Sequence, residues 1–472
     1  MQRVPWRAAG WLLIAVAVTW AARETRGLAA DQKQTAKSDR LVVHEWGTFT
    51  SLQDEAGRSI PGVNSDDEPV PEFVHRLADL VPKPTELAPI YYKGIPAVHR
   101  DVVMRLETPV IYFYPPANAR LPMQIDVDVK FRGGWLSEYY PKALADAPGF
   151  DQGRPRFGRI RPDAVGSLQW NGLTVGGGGT APETDAPVWL APRQVKAAMV
   201  KAVSGEAERY LFYRGVGNLV APINVSREGA QGDLLIREQL DPALGLKGPL
   251  DIAAMWLVHV RADGLVAYRP IAPALLSGEK GHLLAQTAAD FANEEFSADR
   301  LSQLRADMGR ALRDDGLYAD EAEAMLKTWE LAYFKSAGLR LFFVLPKQWT
   351  NAVMSLKVSV PTDTSRTMVG RIEIVSPKQR ELLRRISQGP HSSSTWFNQL
   401  YAENKRAELE AVWSGRQSLS KSNLPIPADY RAYLDLGRFR NVLVLDEAAH
   451  NASSGITQFM HGYDISYFDP EE

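Results

Sequence analysis

The strongest constraint on the fold is a change of periodicity along the chain. Residues 105–275 contain short runs of β-branched and aromatic residues separated by turn residues. In one run Ile125, Val127 and Val129 alternate with other residues, as expected of a strand with one buried face. Between residues 281 and 335 apolar residues instead recur with helical spacing, and a β pattern returns afterwards. The predicted fold is therefore α+β, with an antiparallel β-sandwich-like middle, a helical insertion and a C-terminal α/β portion.

Shorter segments give local predictions. Asn171-Gly172 separates two apolar runs and predicts a two-residue hairpin turn of type I′. A second turn is expected at Ala262-Asp263-Gly264. The apolar run Val442–Leu445 predicts a strand, and "PEFVHRLADLV" predicts a short helix.

The chain has 472 residues, which exceeds one average domain, so two or three domains are expected. The changes in periodicity suggest three parts. Residues 41–275 would hold an N-terminal strand, a long loop and the β-sandwich-like domain. Residues 276–338 would form the helical segment, and residues 339–472 the C-terminal α/β portion.

The first thirty residues have the pattern of a secretory signal peptide. Arg3 and Arg7 precede an uncharged, mostly apolar run over residues 8–22, and small residues allow cleavage after Ala29 or Ala30. An uncleaved N-terminal anchor is the alternative, although the run is short for a membrane span. Residues 31–40 are polar and predict a tether. We therefore expect an exported protein, periplasmic or secreted.

Composition excludes several classes of function. The formal net charge of −2 gives no basic field for nucleic acid, so no nucleic-acid partner is expected. The chain contains no cysteine, which removes thiolate metal sites and thiol nucleophiles from consideration. An exported chain without disulfides must be held together by its apolar core, and its length allows one.

The stretch "LVVHEWGTFTS" places His44 beside Glu45, a pair that opens many zinc-hydrolase motifs. The required second histidine is absent, because Thr48 occupies its position. The stretch has strand composition, and side chains alternate along a strand. Alternation directs His44, Trp46, Thr48 and Thr50 to one face and Glu45 to the other. The pair is therefore not expected to act as a dyad.

A metal site built from distant ligands remains open at this stage. His44, His75, His99, Asp101 and Glu107 could supply nitrogen and oxygen ligands to a divalent metal such as zinc, with further acids from the loop at Asp66, Asp67 and Glu68. The alternative is that His44 is a hydrogen-bonded strand histidine and that the loop acids are solvated.

Candidate ligand-binding residues are those of the His44 face and one arginine. Trp46, Thr48 and Thr50 share that face, and Arg214 lies inside the apolar run "FYRGVGN". An arginine among strand core residues is costly unless it is paired, so an acidic partner is expected. The alternative is an arginine on an edge strand. No G-x-S-x-G and no Walker sequence is present.

Four motifs together resemble a family of large exported bacterial proteins that is known only as uncharacterised. They are "HEWGTFTS", "ETPVIYFY", "FYRGVGN" and "TWELAYFKSAGLRLFFVLP", and the resemblance spans most of residues 41–470. It implies one integrated unit and assigns no activity, cofactor or catalytic residue. Two hypotheses follow from the sequence. The chain is a non-catalytic envelope protein that binds a ligand or partner, or it is a metal-assisted hydrolase of envelope or extracellular polymers that uses His44.

Overall fold

The structure is a computed structural model of the chain. It describes residues 39–65, 69–81, 91–151, 156–229, 232–246, 249–273, 283–389 and 427–470, with positions 405, 407, 408 and 411. The predicted signal peptide, most of the predicted tether and the acids Asp66, Asp67 and Glu68 lie outside these residues. In the described part, no helix combines the length and the apolar character that a membrane crossing requires.

Among the described residues, fifteen strands form one sheet that is mostly antiparallel. They are β1 (Leu41–Gln53), β2 (His75–Arg76), β5 (Met104–Tyr114), β6 (Met123–Arg132), β7 (Gly134–Tyr140), β8 (Leu144–Asp146), β11 (Val165–Val175), β12 (Val200–Lys201), β13 (Ala207–Glu208), β14 (Leu211–Gly217), β17 (Met255–Val260), β18 (Val266–Ile271), β20 (Gly338–Val344), β21 (Met354–Val358) and β22 (Thr362–Ile374). The main path runs β13-β12-β11-β7-β14-β5-β1-β22-β20-β17-β18.

Smaller sheets and helices complete the described fold. The strands are β3 (Tyr91–Tyr92) with β4 (Ile95–Pro96), β9 (Phe150–Asp151) with β10 (Arg156–Phe157), and β15 (Ile223–Arg227), β16 (Leu234–Glu238) and β19 (Leu283–Thr287). The α-helices are α1 (Pro187–Leu190), α2 (Asp299–Asp314), α3 (Ala319–Thr328), α4 (Lys347–Val353), α5 (Pro377–Gln388), α6 (Ala428–Asp435), α7 (Arg440–His450) and α8 (Ser454–Gly462). A π-helical segment, Glu330–Lys335, follows α3.

Strand β1 occupies the centre of the large sheet. It pairs in parallel with β22, which belongs to the predicted C-terminal portion of the chain, and antiparallel with β5. Twelve of its thirteen residues are buried, which explains why valine, threonine and aromatic residues fill it. One sheet therefore combines strands from the predicted N-terminal and C-terminal portions of the chain.

Three apolar clusters pack against the sheet. The first fills one side of β1 and β5 and includes apolar residues of β6, β11 and β16. The other two lie at opposite ends of the second face of β1. One of these contains Trp46 and residues of α2 and α3, and the other contains Leu52 and residues of α5, α7 and α8.

The structure confirms part of the sequence interpretation. The chain has mixed α/β structure with a large, mostly antiparallel sheet. The turn at Ala262-Asp263-Gly264 joins the antiparallel strands β17 and β18, and Gly264 takes a φ of 86°. The helical spacing predicted between residues 281 and 335 corresponds to α2, α3 and the π-helical segment only beyond residue 298. Before that point the prediction is wrong, because Leu283–Thr287 form strand β19.

Three further local predictions are wrong. Asn171-Gly172 lies within the single strand β11, where the register to β6 shifts between Trp170 and Leu173, so the glycine marks a bulge rather than a hairpin. The run Val442–Leu445 lies in helix α7, because a short apolar run fits a buried helix as well as a strand. The predicted helix in "PEFVHRLADLV" is only the 3-10 turn Leu77–Leu80 after the two-residue strand β2.

Candidate functional site

His44 and Glu45 point to opposite faces of β1, which confirms the alternation predicted from the sequence. On one face, Nδ1 of His44 lies 2.8 Å from Oε2 of Glu321. On the other face, Glu45 accepts a hydrogen bond from Nε of Arg366 and a second from the hydroxyl of Tyr213. All of these partners lie more than 160 positions away in the sequence, so no local sequence pattern predicts them.

Glu321, the partner of His44, is fully buried at the start of α3. Its Oε1 accepts a hydrogen bond of 2.7 Å from the Tyr114 hydroxyl, and its Oε2 accepts one of 2.6 Å from the Tyr318 backbone. The rings of Tyr114 and Tyr318 flank His44 at centroid distances of 5.5 and 4.4 Å. Because His44 is only 4% exposed, this arrangement is that of a satisfied core histidine.

On the same face of β1, C-terminal to His44, polar side chains cross the sheet. They lie between the apolar cluster that contains Trp46 and the apolar cluster that contains Leu52. In the strand registers, Thr48 is opposite Glu107, and Thr50 is opposite both Arg105 and Arg371. We call this group the polar layer; it consists of Thr48, Thr50, Lys93, Arg105, Glu107, Arg340, Arg371, Glu373 and Arg438. Its members other than Arg438 are buried, and the Arg438 side chain is 9% exposed.

Glu107 is surrounded by cations within the polar layer. Its Oε1 lies 3.4 Å from Nε of Arg105, and its Oε2 lies 4.0 Å from Nζ of Lys93 and 3.8 Å from Nη2 of Arg438. Burial alone would raise the pKa of Glu107, but Arg105, Lys93, Arg438 and Arg371 outweigh it and hold that pKa well below 4.5. Glu107 is therefore an ionised member of an ion-pair network and has no contact with His44, His75 or His99 among the described residues.

The backbone around the polar layer is irregular. Thr108 has a φ of 45° and Lys93 a φ of 53°, which are strained values for residues other than glycine. The register between β1 and β5 shifts between Trp46 and Thr48. The π-helical segment places the ring of Tyr333 4.3 Å from the guanidinium of Arg371. Strain, bulges and π-helices all concentrate at functional sites in proteins.

Arg214 has the acidic partner that the sequence predicted. Its Nη1 lies 3.6 Å from Oε2 of Glu138 on the neighbouring strand β7. The alternative of an edge-strand arginine is wrong, because β14 lies between β7 and β5 inside the sheet. Trp46, the remaining ligand-binding candidate, is fully buried against Tyr112 in the apolar cluster.

The structure does not bring the predicted metal ligands together. Nε2 of His75 lies 2.9 Å from Glu206. His99 donates from Nε2 to the Gly158 carbonyl at 3.1 Å and accepts at Nδ1 from the Asp101 backbone at 3.2 Å, so both ring nitrogens are occupied. In the part of the chain that the structure describes, no group of three or more metal-ligating side chains converges.

Asp101, another predicted metal ligand, instead braces a surface pocket. Its carboxylate accepts hydrogen bonds of 2.7 and 2.9 Å from Nε and Nη2 of Arg159, and one of 2.9 Å from the Ile160 backbone. Asp101 is 5% exposed, whereas the Arg159 side chain is 49% exposed. A buried carboxylate therefore holds the guanidinium at the surface in a fixed position.

The pocket at Arg159 has a volume of about 590 Å³. We call it the arginine pocket; its lining residues are Gly149, Asp151, Arg156, Gly158, Arg159, Ile160, Arg161, Pro162 and Asn218. The side-chain amide of Asn218 donates to the Ile160 carbonyl at 2.8 Å and anchors the loop from the opposite side. The sequence signal for this site is the segment "GRPRFGRIRP", which has four arginines in ten residues of a chain that is nearly neutral overall.

The chain was compared with known proteins. No model of a known protein family matches it, and no curated protein matches it. Function is therefore inferred from the chemistry of the arginine pocket and of the polar layer.

Proposed function

We propose that this chain is an exported, non-catalytic protein that binds a small anionic ligand in the arginine pocket. The observation that carries the proposal is the bracing of Arg159 by the buried carboxylate of Asp101 at the wall of an open cavity. The pocket volume suits a small-molecule ligand. Three arginines and one aspartate contribute charged side chains to the lining, so phosphate or carboxylate groups are the chemistry that matches it.

A fixed guanidinium favours binding for two reasons. Charge-assisted hydrogen bonds to an oxyanion are stronger than those between neutral groups. In addition, Asp101, which itself accepts a hydrogen bond from the Ile160 backbone, already orders the Arg159 side chain, so less conformational entropy is lost when a ligand binds. The Arg161 side chain is 76% exposed and pairs with Asp163 at 3.2 Å, so it contributes charge at the rim rather than a fixed contact.

Calorimetric titration of the purified protein with pyrophosphate, citrate and inorganic phosphate tests this proposal. We expect at least one of these anions to bind, with an affinity that falls as the salt concentration increases. Comparison of the phosphate-containing anions with citrate shows whether the pocket prefers phosphate or carboxylate groups. Arg159→Gln should lower the affinity ~10-fold or more, because a hydrogen bond to a charged group is lost. The matched control is Arg209→Gln, which changes an exposed arginine outside the pocket and should leave affinity unchanged.

Two results would contradict the assignment. One is the absence of binding by all three anions at low ionic strength. The other is equal loss of affinity in Arg159→Gln and Arg209→Gln, which would indicate a general effect of net charge.

Export and the finer architecture belong to the same proposal. Export is supported by the basic and apolar pattern of residues 1–30. Fractionation of a bacterial host that produces the full chain should recover it outside the cytoplasm, with an N-terminus at Ala30 or Asp31. Recovery from the cytoplasm with residues 1–30 intact would refute export.

A sandwich-like middle is supported by the apolar cluster that β1 and β5 share with β6 and β11.

A further inference from the structure

Arg371 is a buried guanidinium whose hydrogen bonds are incomplete. It is 1% exposed, and its Nε donates to Oε1 of Glu373 at 2.6 Å. Its Nη2 also contacts that oxygen of Glu373, and in the described part of the chain its Nη1 donates no hydrogen bond. The Tyr333 ring covers the guanidinium at 4.3 Å. Donors left without acceptors in the interior are costly, so an acceptor is expected at the Nη edge.

The charge at this point is also unbalanced. Arg340 and Arg371 are both fully buried, and both contact the single carboxylate of Glu373, with Nε of Arg340 at 3.0 Å. Burial lowers the pKa of Arg340 to about 10; Glu373 opposes this shift, and the charges of Arg371 and Arg438 add to it. A water molecule would supply hydrogen-bond acceptors without changing this balance, whereas an anion would supply both acceptors and charge.

A hydroxyl donor lies in the same layer. Thr48 is fully buried, and its Oγ1 makes no hydrogen bond to any residue that the structure describes. It lies on the same face of β1 as Thr50, the residue opposite Arg371 in the register with β22. Hydroxyl and guanidinium N–H groups are both suitable donors to a halide or an oxyanion.

We infer that the polar layer holds a resident small inorganic anion, a halide or an oxyanion, at the Nη edge of Arg371. The site is enclosed, so its occupant enters while the chain folds and exchanges slowly afterwards. This distinguishes it from the arginine pocket, where a ligand exchanges with solvent. The inference does not depend on the function proposed for that pocket.

Anion analysis of the full-length protein tests the inference. Protein is exchanged thoroughly into sodium gluconate, unfolded in urea, and the released chloride, phosphate and sulfate are quantified by ion chromatography. We expect about one equivalent of one of these anions per chain. Arg159→Gln should release the same amount, because the arginine pocket empties during exchange. Arg371→Met should release none.

A second variant and a second measurement guard against misfolding of Arg371→Met. Thr48→Val keeps the shape of the side chain and should reduce the released amount while leaving the circular dichroism spectrum unchanged. Crystals grown in sodium bromide should show an anomalous peak within hydrogen-bonding distance of Arg371 if the site accepts a halide. Release of no anion by the wild-type protein, together with ordered water at Arg371 in the crystal, would overturn the inference.

Discussion

Removal of the Glu45 carboxylate is expected to destabilise the fold more than the loss of any exposed ion pair. Glu45 is fully buried on the face of β1 opposite to His44 and accepts hydrogen bonds from Arg366 and Tyr213. Glu45→Ala leaves the Arg366 guanidinium, whose side chain is 9% exposed, without its carboxylate. It also removes the carboxylate acceptor of the buried Tyr213 hydroxyl, which retains the weaker Met354 sulfur at 3.4 Å.

The magnitude follows from the partners that remain. Loss of one member of a buried ion pair costs about 3–5 kcal/mol, because the other charge stays in the interior. Arg366 keeps two acceptors through Nη1, the Asn351 side chain at 2.9 Å and the Met354 carbonyl at 2.6 Å. Since these acceptors carry no net charge, they reduce the cost only in part. We therefore expect a loss of about 3 kcal/mol in the free energy of unfolding.

Urea unfolding followed by tryptophan fluorescence measures this loss. The matched control is Glu323→Ala, which removes an exposed carboxylate that pairs with Lys327 at 2.8 Å within α3. An exposed pair of this kind contributes about 0.3–0.5 kcal/mol. The expected order is therefore a large shift of the unfolding midpoint for Glu45→Ala and a small one for Glu323→Ala.

A compensating pair of substitutions separates charge from packing. Glu45→Leu with Arg366→Met replaces the ion pair by apolar side chains of similar size, a change that is often neutral in protein interiors. We expect the double variant to be more stable than Glu45→Ala alone. If Glu45→Ala and Glu323→Ala shift the midpoint equally, the buried pair does not hold β1 to β22 and the reasoning fails.

Further predictions concern the pocket, the packing and the polar layer. Asp101→Asn should weaken anion binding in the calorimetric titration and cost about 1.5–3 kcal/mol in urea unfolding; unchanged affinity would contradict the bracing role. Gly370→Ala should lower thermal stability by ~1–3 kcal/mol, because its new Cβ would lie 2.2 Å from the Phe343 ring, whereas Gly178→Ala meets no atom within 4 Å and should have no effect. The pKa of Glu107 lies below 4.5 in the folded chain, so its contribution to stability is complete above pH 4.5 and is lost as the pH falls further. Glu107→Gln should therefore flatten the decline of stability with acid, and an unchanged slope would refute this.

The sequence predicted those features that depend on neighbours within a few positions. Alternation along β1 separated His44 from Glu45 correctly, and the turn at Ala262-Asp263-Gly264 was correct because glycine readily takes the positive φ that this turn requires. The cost of a buried cation required an acidic partner for Arg214, and Glu138 supplies it. Strand alternation and turn formation depend on a local segment, and the cost of an unpaired buried cation depends on a single residue type.

Features that depend on distant contacts were not predictable in this way. The partner of His44 is 277 positions away, and that of Glu45 is 321 positions away. Of the five predicted metal ligands, His99 and Asp101 remain adjacent, but β strands and loops carry His44, His75 and Glu107 to different places. Asp101 is the clearest example, because its carboxylate is bonded to the guanidinium of Arg159, a residue that lines the arginine pocket.

The motif "HEWGTFTS" is best explained by the position of β1 at the centre of the sheet. A Cβ on Gly47 would lie 2.9 Å from the Pro109 ring and 3.1 Å from the sulfur of Met368, so both neighbouring strands require glycine there. Glu45 balances an arginine of β22, and Thr48 faces the polar layer from the same strand. Different distant segments therefore specify each residue type in the motif. It follows that substitutions in this strand should act first on stability and on the resident anion, and that ligand binding should respond to substitutions around Arg159.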